Sequence, residues 1–180
     1  MNSTIAITNM VNKLLDLYGI PIQVLNNAEI EQLGVISSAK GLIYNGNIII
    51  NSDIATIDTP IHEMLHLVIG GTRIKHPSLY KQLVEHSEKF SNLEELAKIY
   101  PNRTHLDLLE ESLVTELSKF MVGERSELDN LDQNDKNLIL KDFCDTLDYA
   151  LMGTMSAEIV PDLSQHTLLS LATVVQSRTF

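Results

Sequence analysis

The chain has 180 residues, 44% of them hydrophobic and 21% charged, and a formal net charge of −11. That is enough chain for one globular domain over 1–180 with its own core. Its acidity, with no basic run anywhere, excludes nucleic-acid backbone binding as the main activity. Cys144 is the single cysteine, so no intrachain disulfide can form and a reducing compartment is expected. The N-terminus reads as no signal peptide, and no stretch approaches the roughly 20 apolar residues of a membrane span. The expected location is a cytoplasm, that of the protein's own cell or of a host.

Residues 2–18 carry Ile5, Ile7, Met10, Val11, Leu14, Leu15 and Tyr18 at mostly helical spacing, and Gly19-Ile20-Pro21 ends the run. A short strand is predicted over 22–25, bounded by Pro21 and by Asn26-Asn27. Over 41–51 two apolar, β-branched runs flank Asn45-Gly46. That pair tolerates the positive φ of a type I′ turn, so a β-hairpin is predicted. A sheet edge there, near Ile48, Ile49 and Ile50, could pair with an extended peptide.

The stretch 59–71 carries the clearest chemistry. Asp58 or Thr59 can cap a helix and Pro60 suits its first turn. Ile61, Met64, Leu65, Val68 and Ile69 form an apolar stripe, and Gly70-Gly71 is the expected stop. Within it stands His62-Glu63-Met64-Leu65-His66. Histidines at i and i+4 lie on one helix face, where two imidazoles can grip one Zn²⁺. Glu63 lies about 100° further round, in reach of a metal-bound water but badly placed as a third ligand. This is the H-E-x-x-H pattern, with the glutamate as general base.

Further on, helices are predicted over 77–90, 93–100, 104–122, 138–152 and 163–176, with an acidic loop over 124–137. A catalytic zinc site takes three protein ligands and leaves the fourth position to water. Glu111 is the first choice for the third, because a carboxylate on the core-facing helix 104–122 needs a partner. His76, ten residues after His66, is the rival, and Glu110 is a close neighbour of the first option. His86, His105 and His166 have no partners at ligand spacing and read as surface or satisfied histidines. Two other patterns fit badly: the metzincin extension wants Gly at 69 and His at 72, where Ile69 and Thr72 stand, and the deformylases need a cysteine upstream.

With the predicted strand at 47–51, His62-Glu63-Met64-Leu65-His66 and Glu110-Glu111-Ser112-Leu113-Val114-Thr115, the chain resembles zincin metallopeptidases. It is most similar to small gluzincin-type proteins of the ImmA/IrrE kind and to phage-encoded metallopeptidases. The resemblance covers roughly residues 40–122. It departs from the ImmA pattern at Thr115, where Asn is frequent, and lacks a Leu-Leu-Met-Pro-like ending. It implies an α+β, mainly helical zincin-like fold, with a small N-terminal sheet or hairpin packed on the active-site helix. It also implies Glu111 as third zinc ligand, spaced from Val114 as in those families. The implied activity is zinc-dependent endopeptidase cleavage of a protein or peptide substrate, with Glu63 as general base and Tyr100 and His105 as conceivable oxyanion donors. The alternative is a catalytically silent zincin-like structural or binding protein, such as a phage component, with a structural metal.

Overall fold

Pro21 supplies no N–H, but its carbonyl accepts from Ile48 N at 3.0 Å and starts strand pairing in the first part of the chain. The computed structural model describes residues 7–9, 11, 12, 19, 21–35 and 38–154. They form two compact units, Met1–Met64 and Leu65–Phe180. The fold is mixed α+β, with helices and a small three-stranded sheet.

In the first unit, β1 (Ile22–Leu25) leads into the short helix α1 (Asn27–Gln32). Asn26 and Glu29 close a reciprocal capping box at its start, at 3.0 and 2.8 Å. The Asn-x-x-Glu spacing was readable in the sequence, although no helix was expected there. β2 (Gly41–Tyr44) and β3 (Asn47–Asn51) form the predicted hairpin. Asn45 and Gly46 both have positive φ, 50° and 78°, as a type I′ turn requires.

β3 lies in the middle of the sheet, parallel to β1 and antiparallel to β2. Ile48, Ile49 and Ile50 are fully buried, as expected of a continuous apolar run covered on both faces. This corrects the expectation that a peptide could pair near Ile48–Ile50, since both ladders of β3 are already used. Among the described residues the outer strands are β1 and β2. Buried Asn51 ends β3: its amide donates to Asn27 Oδ1 at 2.8 Å and Ala39 O at 3.2 Å, and its Oδ1 accepts from Asp53 N at 3.1 Å.

α2 runs Thr59–Lys75, longer than predicted. His62 N donates to Asp58 O at 2.9 Å, the first helical bond, while Thr59 Oγ1 accepts from Thr56 N at 3.0 Å and orders the approaching turn. Ile61, Met64, Leu65 and Ile69 are buried as expected. Gly70-Gly71 does not stop the helix. Two glycines cost helix propensity but break no hydrogen bond, and Thr72 Oγ1 rebonds to Val68 O at 3.0 Å across them. The stop comes from Pro77, which forces His76 out of helical geometry to φ −139°, ψ 69°.

The second unit continues with α3 (Pro77–Glu85), a 3₁₀ turn at His86–Lys89, α4 (Leu93–Ile99), α5 (His105–Val122), a 3₁₀ turn at Glu127–Asn130 and α6 (Gln133–Thr154). Leu83, Val84, Leu109, Leu113, Val114, Leu117, Leu128, Ile139, Phe143 and Leu147 form its core. α5 ends where expected, on Gly123 in the left-handed region at φ 92°. The predicted loop 124–137 is shorter than expected. Asp132 Oδ1 accepts from Asp135 N at 2.9 Å and caps α6 five residues earlier than the apolar spacing suggested. The helix predicted over 163–176 and His166 lie outside the described residues, as does most of the helix predicted over 2–18. No helix among the described residues is long and apolar enough to cross a membrane.

Asp107 joins two jobs at the start of α5. It closes a capping box with Thr104 and receives Arg73 Nη1, from the end of α2, at 2.6 Å. Hydrogen bonds from the Thr104 hydroxyl and from Arg73 overcome the opposing effect of burial and hold its pKa at about 2, against 3.8 ordinarily. The charged form is therefore favoured by folding. The stabilisation is complete above pH 4–5 and is lost as pH falls through about 2, and it is worth on the order of 2 kcal/mol. Urea unfolding of the wild type and Asp107→Asn should show that gap at pH 6 and a much narrower one near pH 2. An equal gap at both values contradicts this role.

Candidate metal centre

His62 and His66 stand one helical turn apart on α2, so both imidazoles share a face. On α5, Asp107, Glu110 and Glu111 occupy i, i+3 and i+4 and likewise share one face. The Arg73–Asp107 pair and the contacts of His66 with both glutamates tie the two helices along these faces.

His66 is gripped from two sides. Its Nδ1 lies 3.0 Å from Glu110 Oε1 and its Nε2 lies 3.4 Å from Glu111 Oε2. The second oxygen of Glu110 accepts from the Tyr80 hydroxyl at 2.8 Å. Burial, and then the bond to Glu110, push the Tyr80 phenol pKa up, so it stays a donor. Arg73 lies over the Tyr80 ring, 5.4 Å from its centroid, and holds that ring in place. On the far side, the Tyr100 hydroxyl donates to Glu111 Oε1 at 3.3 Å. Burial opposes charge on His66, but the two carboxylates outweigh it and raise its pKa to about 9.

His62, His66 and Glu111 form a group close enough to hold a metal ion: one ligand atom from each lies within 4.8 Å of the other two, and all three residues are half-buried. The donor chemistry fits zinc. With Nδ1 donating to Glu110, the His66 lone pair is on Nε2, the nitrogen that faces Glu111. Two ligand atoms each about 2.1 Å from a tetrahedral zinc lie about 3.4 Å apart, and the His66 Nε2–Glu111 Oε2 separation is 3.4 Å. A ligand histidine whose other nitrogen bonds a carboxylate is the arrangement that fixes tautomer and ring orientation at zinc.

Of the residues proposed from sequence, His62, His66 and Glu111 come together, with Glu63 beside His62 on α2 and nearly buried, at 9% exposure. Glu110 is not in the group but serves the outer nitrogen of His66. His76 also lies outside it, on the N-cap of α3, with its ring centroid 4.0 Å from that of Tyr149. Of the two conceivable oxyanion donors, Tyr100 reaches Glu111, while exposed His105 pairs with Glu88 at 3.3 Å. His86 is a satisfied histidine, as expected: its Nε2 lies 2.8 Å from Asp142 Oδ2 beside an open cavity of about 400 Å³. Sequence reasoning missed Tyr80 and the outer role of Glu110. A neighbouring acid was visible, but its direction depends on how α5 is rotated against α2.

Comparisons with protein-family models, with curated proteins and with solved structures return no match.

Glu110→Gln should weaken zinc binding by roughly 10- to 100-fold while leaving the fold intact. Tyr80→Phe should weaken it less, and His76→Ala not at all. A competition titration against a chromophoric chelator measures all three. Full affinity in Glu110→Gln, or a loss in His76→Ala, contradicts the assignment.

Proposed function

We propose that the protein is a zinc-dependent endopeptidase of the zincin type, resembling gluzincins. The observation that supports it most is the paired geometry at His66: one nitrogen on a carboxylate, and the other at tetrahedral ligand spacing from Glu111. His62, His66 and Glu111 would hold the ion. Three protein ligands leave one position for solvent, as catalytic sites do, whereas structural zinc sites are closed by four. Zinc bound there would supply a more acidic water and a Lewis acid for a scissile carbonyl.

The chain's own residues supply the proton handling and substrate alignment. Glu63, next to His62 and on a different face of α2, is the general base: its carboxylate takes a proton from the attacking water and returns it to the leaving amine. Tyr100, bonded to Glu111, orients that carboxylate from the side opposite His66. An extended peptide is the substrate class that suits the neighbouring strand. In a two-residue hairpin the residues flanking the turn form a bonded pair, and bonded pairs then alternate. With Tyr44 opposite Asn47, the backbone groups of Gly41 and Ile43 face the outer side of β2. The peptide partner expected near Ile48–Ile50 is thus reassigned to this strand.

Purified protein should contain about one zinc per chain, and His62→Ala should lose it, by elemental analysis. Glu63→Gln should keep the zinc and lose casein or peptide-library cleavage by about 10²- to 10⁴-fold. EDTA should abolish cleavage while most of the thermal transition remains. Well-folded wild type with far less than one zinc would sink the proposal. A fold that collapses on chelation would favour the structural metal instead.

A further inference from the structure

We infer that Gly41 is a positioning residue for Glu63: the side chain that residue 41 lacks is the space into which the Glu63 arm is folded. The inference rests on the reading of Glu63 as general base, and it begins from an oddity of β2. Gly41 is the first residue of that strand and pairs with Ile50, which is fully buried. Glycine weakens a strand, both by its extra freedom in the unfolded chain and by the packing it forgoes. The usual reason to accept that loss is a positive φ. Gly19, Gly34, Gly46 and Gly123 have one, and Gly41 does not. Its backbone would accept any residue, so what excludes a side chain must lie in space.

Glu63 occupies that space. A β-carbon at position 41 would lie 2.6 Å from Glu63 Cγ, 2.8 Å from its Oε1 and 3.0 Å from its Cδ. The closest of these atoms is near the root of the side chain. Moving Cγ means changing χ1, and a helix leaves few χ1 wells open. An alanine at 41 would therefore not nudge the carboxylate tip; it would send the whole arm into another rotamer and re-aim the carboxylate. Glu63 is only 9% exposed, so the carboxylate has been taken largely out of water and its direction is set by what surrounds it. The glycines inside α2 provide the contrast. A β-carbon on Gly70 or Gly71 would meet nothing within 4 Å, so those two positions constrain no neighbour. The strand-opening glycine and the residue after the first histidine are thus one device: β2 holds the proton-transfer group at the angle its task needs.

A double-mutant cycle tests the coupling without relying on activity. Denaturant midpoints of metal-free wild type, Gly41→Ala, Glu63→Ala and the double variant are compared, with Gly70→Ala as control. Gly41→Ala should lower the midpoint in the wild-type background and leave it unchanged or raise it when Glu63 is alanine. If Gly41→Ala alone does not fold and the double variant does, the same coupling is established. Equal shifts in both backgrounds, or failure of both variants to fold, overturn the inference. In zinc-loaded protein, Gly41→Ala should keep its metal and KM within about twofold, while kcat falls at least tenfold; wild-type kcat also overturns it. Gly70→Ala should keep wild-type kcat. If neither wild type nor any variant cleaves peptide, the peptidase reading fails, and the cycle still decides whether Gly41 packs Glu63.

Discussion

His66 held between two carboxylates is the contact on which the candidate site depends. A histidine on one helix meets adjacent glutamates of another, and each takes a different ring nitrogen. Adjacent residues on a helix diverge by about 100°, so Glu110 and Glu111 can embrace the ring only if α5 presents the gap between them to α2. Arg73 with Asp107 and Tyr80 with Glu110 hold that presentation in place. Without them the same acids would be solvated side chains on a charged helix face.

Two partly buried carboxylates beside one imidazole concentrate negative charge and raise the His66 pKa to about 9. In the proposed metal-bound form, a divalent ion would satisfy Nε2 and Glu111 together while Glu110 keeps the outer nitrogen.

The two units contribute different things. The sheet of the first buries three isoleucines in its central strand and brings an outer strand, with its glycine, against the Glu63 side chain. The helices of the second supply His66, its two acids and their supports. α2 begins in the first unit and ends in the second.

Much of this was legible in the sequence because local rules carried it. Asn45-Gly46 determined a type I′ turn, since few other pairs tolerate positive φ twice. The spacing of His62 and His66 placed them on one helix face, and the apolar stripe of α2 named most of its buried side. Local rules failed where tertiary contacts overrode or supplemented them. Gly70-Gly71 looked like a stop, yet the helix ran on to the residue before Pro77, because weak propensity yields to packing while the proline clash does not. The central place of β3 followed from β1 joining it in parallel, a pairing between distant segments that no local pattern records. Glu111 over Glu110 or His76 was likewise a matter of how one helix is rotated against another. The spacing could nominate all three, but only tertiary structure could separate them, because an angle of about 100° between neighbouring side chains decides which acid joins the group with His62 and His66 and which faces the back of the histidine.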